Sequence, residues 1–595
     1  MLTRPELRGT QAAVSATHWL ASAAGMAMFD LGGNAFDAAT AAAFVIQVVE
    51  PHLNGPAGDV PIMVHRAGSE SVEVICGQGP MPLRATPAEF QARGLDVVPG
   101  SGLLSACVPG AFGAWLRLLR DYGRLALADV LAPAVHYAEH GYPVLPKASA
   151  MIAELAELFR DEWAESGRTF LIDGKAPAPG QRLRNPALAA TFRRLLAESQ
   201  AAGGTREDRI DAAHRSFYEG FVAEAIDRFA GTAELVDATG RRNGGLLTGA
   251  DLARWQPTVE DSVWLDYRGL TVHKPGPWSQ GPVFLQQLGL LEGYDLAAMG
   301  EAERLHTVVE CAKLAFADRE AWYGDPDHAD VPLKALLDRG YAQERRALVG
   351  ESASGTLRPG SPDGREPFIP PVLDVTVPPA EPSWLAQLDD GVPAVVRRTA
   401  ANGDTCCITA TDAEGNMVAA TPSGGWLKSS PVVPGLGFPL GTRGQMAWLV
   451  DGHPNTLAPD KRPRTTLSPT IALRDGRPQL AFGTPGGDQQ DQWTLGFFLN
   501  HVELGMGIQE AIEATAAHTD HVPSSFTPRR ARPLALVTES GRDPSVLAEL
   551  RRRGHEVQEV DAGTLGKVCV TGRVEDDLVL AAASPRGQQA YAIAR

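Results

Sequence analysis

The chain has no excess of basic charge. Its 595 residues carry a formal charge of −17. A surface this acidic repels phosphate backbones and anionic lipid, so neither nucleic acid nor membrane is an expected partner. Two local basic runs, Arg529-Arg530-Ala531-Arg532 and Arg551-Arg552-Arg553, read as solvated faces. Cysteine is scarce: Cys76, Cys107, Cys311, Cys406, Cys407 and Cys569 have neither zinc-ligand spacing nor the density of a disulfide scaffold. They are expected to be reduced, mostly buried, small apolar residues. Cys406 and Cys407, as neighbours in a strand, should point to opposite faces. No run of about twenty uncharged apolar residues occurs, so no membrane-spanning segment is expected. The opening residues, Met1 to Arg8, carry charge and lead into polar residues rather than an apolar core, which predicts a cytoplasmic mature protein. No internal repeat is visible. A nucleophile elbow is missing too, because Gly276-Pro277-Trp278-Ser279-Gln280-Gly281 has the wrong spacing.

The chain is too long for one ordinary core. Ala35 to Val49 is alanine-rich and almost continuously apolar, which suits a buried helix ended by Pro51. Asn54-Gly55-Pro56-Ala57-Gly58-Asp59 is a glycine-rich loop, followed by strand patterns at Val60–Val64 and Val72–Ile75. From about 100 to 350 the pattern is helical, with Leu305, Val308, Val309, Ala312 and Ala315 on one face and a stop at Tyr323-Gly324-Asp325-Pro326. Residues 351–404 are rich in proline, with Pro359, Pro362, Pro367, Pro370, Pro371, Pro378, Pro379 and Pro382, and should run as an extended, partly mobile tether. Beyond it, Cys406–Thr411, the turn Asp412–Asn416 and Met417–Thr421 form a hairpin pattern. Further strands flank Arg474-Asp475-Gly476-Arg477. Val537, Val557–Val560 and Val568–Val570 should complete the sheets.

The chemistry centres on Thr405, which opens the first of these strands. Its hydroxyl can attack the Asp404 carbonyl, shift the acyl group from nitrogen to oxygen, and release a chain that begins at Thr405. The new α-amine, with a solution pKa of about 7.7–8.0, then serves as base for the same hydroxyl. Gly486 and Gly487, in Gly483-Thr484-Pro485-Gly486-Gly487-Asp488, offer two successive main-chain N–H groups able to hold a tetrahedral oxyanion. His136-Tyr137-Ala138-Glu139-His140 is a literal H-x-x-E-H, but no third ligand accompanies it, and no metal is expected.

Together these pieces resemble the γ-glutamyltranspeptidase family over nearly the whole chain. The resemblance is carried in order by Gly32–Ala39 with Val49-Glu50-Pro51-His52, Val108–Ala111, Gly244–Thr248 with Asp251-Leu252, Asp266–Gly269, Ala317-Asp318-Arg319, Gly324-Asp325-Pro326, Gly403-Asp404-Thr405, Lys461–Thr470 and the Pro-Gly-Gly turn. It implies an α+β fold, a four-layer αββα sandwich of the N-terminal nucleophile hydrolase type. Two subunits of one precursor would build it: a large one over 1–404, with 351–404 as its tail, and a small catalytic one over 405–595. It implies cleavage between Asp404 and Thr405, Thr405 as nucleophile, Ser423 as its hydroxyl partner, and Gly486 and Gly487 as oxyanion hole. Thr465, Thr466 and Asp488 would line the substrate pocket. No cofactor is implied, and a homodimer of processed heterodimers is an arrangement it allows.

Two departures stand out. The family's glutamyl-binding arginine is replaced by Gln78, and the acid expected to grip the α-amine is absent from Gly437–Gln445, where Arg443 stands instead. Losing both fixed charges removes the pairs that read an amino-acid head group. The expectation is therefore a self-processing hydrolase or acyltransferase for a small carbonyl substrate, an amide first, with an anionic end held by Arg443. The alternatives are γ-glutamyl transfer or glutathione hydrolysis, carbon–carbon bond hydrolysis in an antibiotic pathway that makes proline derivatives, and a non-catalytic scaffold.

Overall fold

The computed structural model describes residues 2–369, 405–527, 529–574 and 577–595. Asp404 and most of the proline-rich run lie outside the described residues. Two seven-stranded antiparallel sheets face each other. The first runs in the order Tyr591–Ala594, Ala12–Ala16, Ile408–Asp412, Met417–Ala420, Val60–His65, Val72–Gly77 and Thr258–Asp261. The second runs Leu7–Gly9, Val579–Ala583, Cys569–Arg573, Arg477–Gly483, Thr470–Arg474, Leu270–Lys274 and Val263–Tyr267. Helices Trp19–Asp30 and Ala35–Val49 cover the outer face of the first sheet. Gly281–Leu291, Gln490–Val502 and Ile508–Glu513 cover that of the second. The layers are thus α, β, β and α. Each sheet takes strands from both sides of Thr405, so neither segment has a sheet of its own.

Local chemistry explains the best-read elements. Helix Ala35–Val49 starts on a capping box: the Asn34 side chain accepts from Phe36 and Asp37 N–H, and Asp37 accepts from Asn34 N–H at 2.8 Å. All fifteen of its residues are buried, so its apolar character is continuous rather than striped. The strand Ile408–Asp412 is buried throughout, because helices cover one face and the second sheet the other. Cys406 joins the core under the helices and Cys407 the core between the sheets, on opposite faces as the strand period requires. All six cysteines are free and buried.

Three expectations are corrected. The stretch read as helical contains the strands Thr258–Asp261, Val263–Tyr267 and Leu270–Lys274. The last two are joined by a tight turn in which Arg268 (φ 49°) and Gly269 (φ 78°) are both left-handed. Ala535–Glu539 and Glu556–Val560 do not extend the main sheets. With Ala517–Thr519 they form a separate three-stranded sheet. Residues 351–369, expected to be a loose tether, are pinned to helix Glu301–Trp322: Gly360 N–H donates to Asp318 at 2.7 Å, and Trp322 Nε1 donates to Gly360 O at 3.0 Å. Among the described residues no helix is long and apolar enough to cross a membrane.

Candidate active site

Thr405 and Ser423 are brought together by main-chain pairing. Thr405 bridges Ser423, and Ser423 bridges Asp59, with N–H to O distances of 2.8 and 2.9 Å in the second pair. The glycines of Asn54–Asp59 permit this. A Cβ on Gly58 would lie 2.1 Å from the Ser423 carbonyl oxygen, and one on Gly55 2.7 Å from that of Gly425. Thr405 is 2% exposed, and its hydroxyl donates to Ser423 Oγ at 3.4 Å, the outer limit of a hydrogen bond. Beneath it, Glu50 accepts from Thr17 Oγ1 at 2.8 Å and from the Cys406 thiol at 3.2 Å.

The Pro-Gly-Gly turn arrives from the second sheet. A Cβ on Gly483, the last residue of its strand, would touch Cys407 Sγ and Thr421 Cγ2 at 3.0 Å, so the turn begins against the segment that joins Thr405 to the strand Ile408–Asp412, which starts three residues later than the sequence suggests. Gly486 (φ 135°) and Gly487 (φ 57°) are both left-handed, and a Cβ on Gly486 would lie 2.0 Å from the Trp493 ring. Among the described residues, no acceptor is paired with the N–H of Gly486 or of Gly487. Two successive main-chain donors of this kind are what an oxyanion requires.

Asp488 holds this turn in place. Its carboxylate takes the Arg319 guanidinium, Ser525 Oγ at 2.6 Å and Ser525 N–H at 2.9 Å. It was expected to bind substrate, yet its oxygens are engaged inside the protein. Arg443 differs from expectation in the same way. It is buried against Asp59 in a bidentate pair of 2.9 and 2.8 Å, with its guanidinium over the Trp426 ring, so its charge is matched internally. Thr465 leans on this pair, its hydroxyl 3.5 Å from Asp59, and is fixed by its N–H to Trp278 O at 2.9 Å. Thr466 Oγ1 and Gln78 Oε1 are buried and lack a partner among the described residues. The basic residues of Lys461–Thr470 act as clamps: Arg462 grips Asp325 and Arg464 grips Glu320.

Sequence reasoning placed Asp59 in a glycine-rich loop and Arg319 in a motif without giving either a role, and did not single out Trp426 or Phe526. The glycines of the Asn54–Asp59 loop were the only signal for Asp59, and nothing in them named Ser423 as its partner. Trp426, Met446 and Phe526 form an apolar cluster, and a Cβ on Gly487 would lie 3.0 Å from the Phe526 ring.

The sequence offers one histidine pair with metal-ligand spacing, and the structure brings together another group. His136 and His140 stand one turn apart on helix Leu127–His140, with ring centroids 4.8 Å apart. The group of potential ligands whose donor atoms converge among the described residues is instead His306, Glu310 and His555. There the two rings bond each other at 2.8 Å, and Glu310 is spent on Lys313 at 2.7 Å and Arg358 at 3.2 Å. These contacts tie helix Glu301–Trp322 to the region of His555, while His555 Nδ1 is buried without a partner among the described residues.

One pH prediction arises from the clamp. Burial alone would raise the Glu320 carboxyl, but the Arg464 and Arg319 guanidiniums outweigh it and hold it down to about 2. An unfolded glutamate titrates at about 4.3. The stability due to this group is complete above that value and is lost as pH falls toward 2. The urea midpoint should therefore drop across this window. Glu320→Gln should start lower and change less over the same range.

The two facing seven-stranded sheets, each covered by helices on its outer face, define a fold of the N-terminal nucleophile hydrolase class. A family model described as Gamma-glutamyltranspeptidase matches residues 21–594. The chain belongs to the gamma-glutamyltranspeptidase family. Among its relatives is the "Glutathione hydrolase-like YwrD proenzyme" of Bacillus subtilis (strain 168), 32% identical over 85% of this chain and 84% of that one. A solved structure of LmbA2991HD is 52% identical, covers 100% of both chains and superposes with a TM-score of 0.93. The cephalosporin acylase from Bacillus halodurans is 27% identical, with 100% of this chain and 97% of that one covered and a TM-score of 0.83.

Proposed function

We propose that this chain is a self-cleaving hydrolase that uses Thr405 as an N-terminal nucleophile on a small carbonyl substrate, an amide first. The observation that carries the reading is the buried Thr405 hydroxyl, 3.4 Å from Ser423 Oγ and two residues before Cys407, against which the strand leading into the Gly486–Gly487 turn packs. In maturation the hydroxyl attacks the Asp404 carbonyl, the peptide nitrogen leaves as the Thr405 amine, and water hydrolyses the resulting ester. In turnover the amine accepts the hydroxyl proton as the oxygen attacks the substrate. Gly486 and Gly487 N–H bind the oxyanion, and the leaving group departs with the proton. Water then cleaves the acyl ester on Thr405. Ser423 orients the nucleophile through its hydroxyl. The two segments remain joined after scission because both sheets draw strands from each.

The site is poorly suited to a γ-glutamyl head group. Gln78 brings no charge, and Arg443 is neutralised by Asp59. The relatives named as hydrolase and acylase proteins support hydrolysis as the reaction class. LmbA2991HD shares more of this sequence than either, so its own substrate belongs in the first panel. A denaturing gel with amino-terminal sequencing tests maturation, and a panel of anilides tests turnover. The expected result is two chains, the smaller beginning at Thr405, with γ-glutamyl-p-nitroanilide left near background. Brisk turnover of that anilide would favour γ-glutamyl transfer, and cleavage of a 1,3-diketone but no amide would favour the carbon–carbon reaction.

A further inference from the structure

A cavity of about 460 Å³ opens beside the Gly486–Gly487 turn. Its charged lining is Lys147, Arg530, Arg532 and Lys567 against Asp488 and Asp520, with His518 between them. Both carboxylates are engaged within the protein, Asp488 by Arg319 and Asp520 by Arg532 and His518. Among the cations, Lys147 and Arg530 also make interactions of their own and Arg532 is taken by Asp520, so the charge still to be matched in this lining is that of Lys567.

Lys567 is the cation best placed to meet a reacting molecule. Cys569 pairs with Gly483, so Lys567, two residues earlier, stands beside the Thr484–Pro485 start of the turn. Its main-chain N–H donates to Thr484 Oγ1 at 2.8 Å, and among the described residues its ammonium has no carboxylate partner. The symmetry with the nucleophile is direct. Cys407 and Cys569 meet in the core between the sheets, and Thr405 and Lys567 each lie two residues before one of them. Lys567 is only 6% exposed. An ammonium held at a cavity wall without a carboxylate beside it is available to an anion that enters the cavity. The neighbouring His52 reports the same field. It is buried with neither ring nitrogen partnered among the described residues, and burial, then the Lys567 charge, keep it neutral well below its ordinary range.

We propose that this cavity takes a carboxylate of the substrate, with Lys567 as the residue that binds it and sets the reacting carbonyl against Gly486 and Gly487. The assignment rests on the hydrolase reading above and gives it a substrate class: small carbonyl compounds that carry a carboxylate. It moves the anion-binding role expected of Arg443 to a residue 124 positions further along the chain.

The test compares the processed wild type with Lys567→Met and Lys567→Arg. Calorimetry measures binding of glutarate and of its neutral dimethyl ester, and glutaryl-p-nitroanilide measures turnover. The wild type should bind glutarate in preference to the diester. Lys567→Met should weaken glutarate roughly 10- to 100-fold, the range of a charge-assisted hydrogen bond, with the diester unaffected, while Lys567→Arg keeps most of the preference. Equal binding of acid and ester by the wild type overturns the proposal, and so does a Met variant that binds glutarate normally. The acid–ester comparison needs no variant, so a misfolded mutant does not decide the matter. Binding needs no turnover either. Intact glutarate binding without hydrolysis of any substrate sinks the hydrolase reading alone, and hydrolysis without acid preference sinks the carboxylate assignment alone.

Discussion

Replacing Thr405 by alanine should leave a single uncut chain of 63.2 kDa and no measurable turnover. Two losses coincide. Without the hydroxyl there is no attack on the Asp404 carbonyl, so no new amino terminus forms. The catalytic base is that amino terminus, so it disappears with the nucleophile. Removing one member of such a unit costs about as much as removing all, on the order of 10⁴- to 10⁶-fold in rate. Thr405→Ser keeps a hydroxyl and should still cut itself, more slowly, because the residue loses the methyl group that restricts its rotamer. A gel of both variants beside the wild type reads the outcome. An alanine variant that still yields two chains, or that keeps its activity, would remove Thr405 from the mechanism and return the scaffold reading.

Asp59→Ala should lower stability by about 3–5 kcal/mol, the cost of leaving one partner of a buried ion pair uncompensated. Asp59 and Arg443 are both almost fully buried, and the guanidinium makes two parallel bonds to the carboxylate. The Thr465 hydroxyl loses its neighbour in the same step. Arg443→Met should cost a similar amount. Asp59→Leu combined with Arg443→Met should recover much of the loss, since no charge is then stranded away from water. Urea midpoints at pH 7 for the four proteins measure this. Single variants that cost less than about 1 kcal/mol would show that water reaches the pair. Self-cleavage should slow in the single variants as well, because Asp59 also pairs through its main chain with Ser423, the partner of Thr405.

Much of the framework could be read before the fold was in view. Helix Ala35–Val49 has its cap, its apolar run and its proline stop within a few consecutive residues, and local chemistry is what a sequence displays. The hairpin from Ile408 to Ala420 is similar: the alternation and the turn are adjacent. The hairpin Val263–Lys274 was overlooked because it lies amid helices, although the left-handed pair Arg268 and Gly269 marks its turn. Thr405, Gly486 and Gly487 stood out because the residue type and the local motif already carry their chemistry.

The partners were a different matter. Arg443 in the sequence is an unpaired cation suited to an anionic ligand. In the structure it is spent on Asp59, 384 positions away. Asp488 looks like a pocket acid and is a brace for its own turn, and Lys567 has no motif at all. The sequence by itself determined the capped helix, the hairpin, the hydroxyl at the strand start and the glycine turn, since each depends on neighbours along the chain. Only the tertiary structure decided which charges are cancelled and which still face a cavity, because that depends on which strands lie side by side once two sheets have closed over a common core.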